Sequence, residues 1–349
     1  MQSTNPFYAT AAALVSVILI GWLLMIGQSL IVPVIIAVIS VYLLSAASTG
    51  LASVLPSLRD YHRLRSLIVL AIFVLFVVLF ALFVSDNALA IAASLPTYAD
   101  NLNTLIDNLA NTLGLTEVPS VATLLERPQE RIDVGALVQS AVGTVSGIGS
   151  VLVMAICYAV FLAADLKTMP GKLRIALGDE TSAEQTVKLV MKVNKRIGGY
   201  LIAKTLVNGI LAAVSFVIMW LLGIEFALLW AVLIGLFNYI PYVGSIIGVV
   251  FPVLLSLGQF GSLAASGAAL IALMTAQLYV GYVLEPKMLG KSVNLSAFVV
   301  LLALSFWTLL WGAIGAILAV PLTAVVMIIL AEIPSLRPVA VLISDDGEV

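Results

Sequence analysis

Long apolar runs without charged side chains constrain this chain more than any other feature of its sequence. A helix needs about 20 apolar residues to cross the hydrocarbon core of a bilayer. Of all residues, 62% are hydrophobic and only 10% are charged, against about 25% charged residues in soluble domains. The runs fall roughly at 9–27, 29–49, 66–90, 134–164, 197–222, 226–257, 262–284 and 294–332. We therefore predict an all-α polytopic membrane protein with about eight hydrophobic segments in a lipid bilayer.

Basic residues between the runs predict the orientation of the chain. They concentrate in 51–65, in 165–196, in 285–293 and at Arg337, and basic residues of short loops tend to stay cytoplasmic. The segment 91–133 is mainly acidic and belongs on the opposite side. Both termini are therefore predicted to be cytoplasmic. The first run lacks a basic leader and a small-residue cleavage site, so we expect it to be a retained span.

Two segments outside the runs have helical periodicity. Apolar residues at helical spacing over 95–113 predict an amphipathic helix, which could pack on the outer face of the protein or lie at the lipid interface. A second amphipathic helix over 179–197, with Ser182 as its predicted cap, carries a basic stripe that could face solvent or anionic lipid. The predicted layout is spans one to three (1–90), an extracytoplasmic amphipathic insertion (91–133), span four (134–164), a cytoplasmic amphipathic region (165–196), a core with two broken segments (197–333) and a cytoplasmic tail (334–349).

Two of the apolar runs are interrupted by residues that break helices. The first interruption is Asn238-Tyr239-Ile240-Pro241-Tyr242-Val243-Gly244-Ser245, and the second is Trp307-Thr308-Leu309-Leu310-Trp311-Gly312. Proline removes a backbone donor, and glycine permits turns that other residues resist. Non-helical backbone at membrane depth is tolerated only inside protein or beside a water-filled cavity. The interruptions therefore predict a polar cavity within the membrane.

Similar sequences follow the two interruptions: GSIIGVVFPVLLSL after the first and GAIGAILAVPLTAVV after the second. The helices that precede them, 197–222 and 262–284, are predicted to run in opposite directions. This makes the pair a candidate inverted repeat, which is a common plan of secondary transporters. Chance similarity between membrane helices that contain glycine and proline is the alternative. The sequence also leaves open whether each broken segment is a re-entrant hairpin or a pair of short spans.

Three motifs lie in the C-terminal half of the chain. They are IPYVGS at 240–245 with Pro252, Glu285-Pro286 followed by Gly290, Val293 and Leu295, and Trp311-Gly312 with Val320-Pro321-Leu322. Together they resemble the autoinducer-2 exporter family of bacterial permease-like proteins. The layout agrees over nearly the whole chain, whereas the motifs are confined to about 235–325.

This resemblance implies export of a small molecule across the bacterial inner membrane. The quorum-sensing signal autoinducer-2 is the substrate that gives the family its name, and some members resemble cation/proton antiporters instead. The resemblance also implies homo-oligomers, pentamers among them. Lys204 departs from the polar uncharged residue that is usual early in the fifth span, which leaves the particular substrate open.

Polar and helix-breaking residues near the interruptions form the candidate substrate path. This set comprises Asn208, Asn238, Tyr239, Pro241, Tyr242, Gly244, Ser245, Gln277, Trp311 and Gly312. A buried Gln277 could equally join two helices by hydrogen bonds. Charged groups inside membrane helices are costly and often functional, so Glu285 and Lys204 are candidates for ion coupling. Glu285 could bind a proton or pair with Lys287 or Lys291, and Lys204 could instead extend to the inner interface.

Several classes of protein do not fit this sequence. The net charge of −2 gives no basis for nucleic acid as a partner. The chain has no glycine-rich phosphate loop, so it does not energise itself with ATP. His62 is its only histidine and Cys157 its only cysteine, so a histidine proton relay and a Cys/His metal site lack the residues they need. We predict no enzyme activity, no cofactor and no metal.

The leading hypothesis is a secondary transporter that exports a small polar molecule, coupled to a proton or sodium gradient. A cation/proton antiporter of the same family is one alternative. A passive channel is another, because channels also use broken helices. A membrane protein that organises partners or lipids without transport is the third.

Overall fold

The computed structural model describes residues 6–58, 60–114, 151, 153–162, 165, 168–290 and 293–348. Within this part of the chain, six stretches of helix are long and apolar enough to cross a membrane. They are Gln28–Ala52, Leu64–Leu113, Glu180–Leu221, Val243–Phe260, Leu263–Leu289 and Ala297–Glu332. The prediction of an all-α polytopic membrane protein is confirmed. Most of predicted span four, and the insertion after residue 114, lie outside the described residues.

The described helices are numbered here in chain order. They are α1 (Pro6–Ile26), α2 (Gln28–Val54), α3 (His62–Leu113), α4 (Val153–Leu162), α5 (Met169–Leu177), α6 (Glu180–Leu221), α7 (Ala227–Phe237), α8 (Val243–Phe260), α9 (Leu263–Tyr279), α10 (Glu285–Leu289), α11 (Ala297–Glu332) and α12 (Arg337–Ile343). A short π-helix, Val280–Leu284, joins α9 to α10.

The helices form two compact units, each built from separate stretches of the chain. The terminal unit comprises Met1–Ala46, Ser150–Tyr200 and Lys291–Val349. The central unit comprises Ala47–Gly149 and Leu201–Gly290. The first interruption belongs to the central unit and the second to the terminal unit, so each is described within its own unit.

Helix α3 contains both the third predicted span and the amphipathic segment 95–113. Its 52 residues make it about 78 Å long, more than twice the ~30 Å hydrocarbon thickness of a bilayer. The C-terminal part packs on α7 and α8. There the Asn101 side chain donates to the carbonyls of Gly258 and Gln259, at 3.0 and 2.8 Å. The two predicted placements were packing on the protein and a position at the lipid interface. The segment packs on the protein, where hydrogen bonds to backbone hold it.

Helix α6 likewise joins the predicted cytoplasmic amphipathic segment to the span that follows it. Asp179, rather than the predicted Ser182, caps its first turn, because the Asp179 carboxylate accepts from the Ser182 backbone N–H and hydroxyl. These hydrogen bonds hold the pKa of the Asp179 carboxyl below its usual value. Part of the predicted basic stripe is paired, since Lys192 Nζ lies 2.9 Å from Glu332 Oε1.

The core of the central unit is formed where α6, α7, α8 and α9 meet. Helices this apolar also expose large side chains to lipid, so burial inside the protein rather than hydrophobicity identifies the core. Its buried residues are Val207, Leu211, Met219, Ile224, Ala231, Ile234, Val249, Ala269, Leu273 and Val280. This packing fixes the helices that carry the polar residues described next.

Candidate functional site

The first interruption is a tight turn that separates α7 from α8. Pro241 accepts a 2.6 Å hydrogen bond from the Val243 N–H, which closes a γ-turn centred on Tyr242. Tyr242 has φ 61° and ψ −59°, and positive φ is unfavourable for a residue with a side chain. Strained backbone of this kind persists only where the surrounding structure enforces it, and it concentrates at functional sites. The predicted break therefore exists, with Pro241 and Tyr242 at its centre.

Gly244 allows this turn to close against the end of α7. A Cβ at this position would lie 1.7 Å from the Phe237 carbonyl oxygen, which no side chain can tolerate. The Gly244 N–H donates to the Ile240 carbonyl at 3.1 Å. The glycine is thus required by close approach of backbone to backbone, and it starts α8 directly behind the last turn of α7.

Four predicted path residues form one buried polar cluster beside this turn. Asn238 Nδ2 donates to Asn208 Oδ1 at 2.8 Å. Gln277 Nε2 donates to Asn238 Oδ1 and to the Ser245 hydroxyl, both at 2.9 Å. The four side chains come from α6, the end of α7, the start of α8 and α9. We call Asn208, Asn238, Ser245 and Gln277 the amide cluster.

The amide cluster is incompletely hydrogen-bonded although three of its members are more than nine-tenths buried. Asn208, Asn238 and Gln277 expose 3%, 4% and 6% of their surfaces. Asn208 Nδ2 and Gln277 Oε1 have no hydrogen-bond partner among the residues that the structure describes. A buried polar group without a partner is costly, about 1–3 kcal/mol. The cluster therefore has one open donor and one open acceptor for a small polar molecule.

Tyr239 and Thr205 extend this polar surface. Their hydroxyls lie 2.7 Å apart. The Tyr239 hydroxyl also lies close to the Asn208 side chain, but it does not satisfy the hydrogen-bond geometry with Asn208 Nδ2. Tyr239 was predicted on the path from its place in the first interruption, whereas no sequence motif marked Thr205. Its position between Lys204 and Asn208 on α6 was the available signal.

The two charged candidates pair with each other. Lys204 Nζ lies 2.5 Å from Glu285 Oε1, and the side chains expose 5% and 25% of their surfaces. Lys204 is therefore buried inside the protein instead of extending to an interface. Glu285 pairs with a residue 81 positions away rather than with the neighbouring Lys287.

A widened helical turn positions Glu285. Pro286 lacks a backbone donor, and its ring collides with the carbonyl four residues earlier in a regular helix. The π-helix Val280–Leu284 precedes it, and the Glu285 N–H bonds to the Val280 carbonyl five residues back. Such π-turns are rare and occur frequently at functional sites. The proline thus accounts for the local geometry that presents the carboxylate.

The second interruption, in the terminal unit, is a kink within α11 that lies beside tryptophan side chains. Trp311 (φ −132°, ψ 16°) and Gly312 (φ 59°, ψ −140°) leave helical geometry. The Trp311 indole N–H donates to the Leu24 carbonyl of α1, and the Trp307 indole N–H donates to Thr323 Oγ1, each at 3.0 Å. Trp311 and Gly312 therefore exist as a break, but both indole N–H groups beside it are hydrogen-bonded.

The fold and this site define a multi-pass helical membrane protein with a buried polar cluster at a helix break. A family model described as AI-2E family transporter matches residues 13–335. The chain belongs to this family of membrane transporters.

Individual relatives are matched over part of their length. A protein of Borreliella burgdorferi named as a transport protein is 34% identical over 202 residues, which are 58% of this chain and 56% of the relative. The AI-2 transport protein TqsA of Escherichia coli K12 is 30% identical over 185 residues, 53% of each chain. The transport protein YhhT of the same strain is 31% identical over 206 residues, 57% of each. The chain thus spans about half the length of the curated relatives it matches.

Proposed function

We propose that this protein is a secondary transporter that exports a small polar molecule across the bacterial inner membrane. The observation that carries the proposal is the amide cluster. A cluster of buried amides with an open donor and an open acceptor, beside a helix break, can exchange its hydrogen bonds for those of a solute. Broken helices near the middle of the membrane serve this purpose in known transporter folds.

Autoinducer-2 is the first candidate substrate, because the name of the relative TqsA states AI-2 transport. The second support is membership of the AI-2E transporter family. The transport core would be the predicted region 197–333, with both termini cytoplasmic. The protein would act as a homo-oligomer, with a pentamer as one candidate state.

Lys204 and Glu285 are the proposed coupling residues. Loss of one charge from a buried ion pair leaves the other charge uncompensated. A proton or sodium ion that neutralises Glu285 would therefore change the stability of the conformation in which Lys204 and Glu285 are paired. This supports coupling to an ion gradient. A cation/proton antiporter uses the same two residues and is the second candidate function.

Export can be tested in a bacterial host that lacks its own AI-2 exporter. Expression of the wild-type chain should raise extracellular AI-2, and Asn238→Ala should reduce this rise by roughly tenfold, since it disconnects the amide cluster. The control is Ser256→Ala, which removes a buried hydroxyl of α8 that bonds to the Val253 carbonyl of its own helix. Equal export by wild type and Asn238→Ala would refute a role for the cluster.

Reconstitution separates the alternatives. A coupled transporter should move solute faster when a pH or sodium gradient is imposed on proteoliposomes. Uptake indifferent to both gradients would refute coupling, and discrete conductance steps in planar bilayers would identify a channel.

A further inference from the structure

Hydrogen-bond donors outnumber acceptors on one buried face of α6. Lys204 and Asn208 are one helical turn apart, so they share this face. The Lys204 ammonium has three donors but a single acceptor in the described part of the chain, Glu285 Oε1. Asn208 Nδ2 adds a donor without a partner. Since both residues are almost fully buried, this face is suited to a ligand rich in oxygen acceptors.

The two members of the ion pair differ in how deeply they are buried inside the protein. The Glu285 side chain exposes 25% of its surface and the Lys204 side chain only 5%. Glu285 can therefore move away from the pair, whereas Lys204 cannot follow without unpacking α6. A buried cation left alone is strongly destabilising. If the carboxylate of a ligand takes the place of the Glu285 carboxylate beside Lys204, the ammonium group stays paired.

The amide cluster supplies the second half of a binding site. Lys204 and Asn208 are separated by about 6 Å along α6, and Gln277 Oε1 is an open acceptor in the same cluster. The nitrogen and oxygen atoms of all three side-chain amides can be interchanged together without loss of the network. The open donor and the open acceptor then change places between Asn208 and Gln277, but one of each remains. A ligand must therefore carry both an anionic oxygen group and a nearby hydroxyl.

We propose that the site takes a small hydroxylated monocarboxylate, whose carboxylate displaces Glu285 from Lys204 while its hydroxyl groups bind Asn208 and Gln277. This inference rests on the proposed transport function but not on autoinducer-2 as the substrate, because it assigns a carboxylate to the same site. Lys204 supplies one positive charge, so a monoanion matches it and a dianion leaves one charge without a partner.

Binding to the purified full-length protein in lipid nanodiscs tests the proposal. The probes are D-glycerate, its neutral counterpart glycerol, propionate as a carboxylate without hydroxyls, and inorganic phosphate as a more highly charged anion. Titration calorimetry should detect D-glycerate and find the other three weaker by roughly tenfold or more, since charge-assisted hydrogen bonds are the strong ones. Equal affinity for glycerol and D-glycerate would overturn the proposal.

Variants of the ion pair separate the roles of its members. K204Q should weaken D-glycerate binding by roughly tenfold or more, whereas E285Q should tighten it, because the competing carboxylate is gone. K192Q changes a lysine of an exposed ion pair and should bind as wild type. If a single variant does not fold, K204Q/E285Q leaves no unpaired charge and should also lose the preference for D-glycerate over glycerol. Retention of that preference would overturn the proposal.

Transport measurements distinguish failure of this inference from failure of the proposed function. If proteoliposomes carry a neutral solute in an Asn238-dependent manner and D-glycerate does not bind, the substrate class is wrong and transport stands. If no solute crosses and D-glycerate still binds through Lys204, the site is a binding site and the transport proposal fails.

Discussion

The two interruptions share a sequence signal but differ in the groups that surround the broken backbone. At the first, amide and hydroxyl side chains from four helical segments meet, and two buried polar atoms lack partners. At the second, Trp307 and Trp311 lie with ring centroids 4.9 Å apart, and both indole N–H groups are bonded. A helix break thus provides freed backbone, but only the neighbouring side chains decide whether a polar site forms there.

Glycine is required at both breaks, and in two ways at the second. Gly244 has no room for a Cβ, because the Phe237 carbonyl occupies that space. Gly315 is equally confined, since its Cβ would lie 1.9 Å from the Trp307 carbonyl oxygen. Gly312 has space for a Cβ among the described residues, but its φ of 59° with ψ of −140° is a conformation that essentially only glycine adopts. Close packing of glycine against backbone is therefore common to the two breaks, whereas a conformation specific to glycine is used at the second.

The largest effect is expected for Gly244→Ala. The added methyl group would collide with backbone, which cannot rotate away, so overpacking should exceed its usual cost and reach roughly 5 kcal/mol or more, with a reduced yield of folded protein. Size-exclusion chromatography and thermal unfolding in detergent would measure this. Gly248→Ala is the control, because its Cβ would lie 3.4 Å from Ile234. Equal stability of the two variants would show that the turn does not close as described.

Glu285→Gln should be the next most damaging change. It leaves the Lys204 charge buried beside a neutral group, and breaking a buried pair typically costs about 3–5 kcal/mol. Glu332→Gln is the matched control, because the Lys192–Glu332 pair is 38% and 46% exposed and such pairs contribute about 0–1 kcal/mol. Denaturant unfolding would compare them. Similar losses in both variants would contradict the buried, functional character of the first pair.

Gly312→Ala should have an intermediate effect. Alanine fits the space but not the backbone conformation, which costs on the order of 1–3 kcal/mol. Gly267→Ala in α9 is the control, since that position has free space and no positive φ, and it should be neutral or slightly stabilising. A lowered melting temperature for Gly312→Ala alone would confirm that the second break depends on the backbone conformation of Gly312. No change would mean that α11 can straighten freely.

The smallest effect is expected for Trp311→Phe. It removes the hydrogen bond to Leu24 but keeps an aromatic ring, so the free energy of unfolding should fall by about 1 kcal/mol. Transport should remain near the wild-type rate, in contrast to Asn238→Ala. A loss of transport comparable to that of Asn238→Ala would show that the aromatic break belongs to the solute path as well.

Local sequence signals predicted the elements better than their ends. The break at Pro241 and Gly244 was predictable because proline and glycine act on their own backbone. The fusion of 95–113 with the preceding span into α3 was not, since the apolar run ends near residue 90 while the packing of Asn101 on α8 favours a continuous helix. The predicted inverted repeat stays a prediction.

By itself, the sequence determined that this chain is a helical membrane protein with two breaks, because hydrophobicity and backbone-breaking residues act locally. Only the tertiary structure decided that Lys204 pairs with Glu285 and that Asn238 joins Asn208 to Gln277. These residues are 30 to 81 positions apart. Periodicity records which face of a helix is apolar, but not which neighbouring helix that face meets. The partners of buried polar groups therefore depend on how the helices pack.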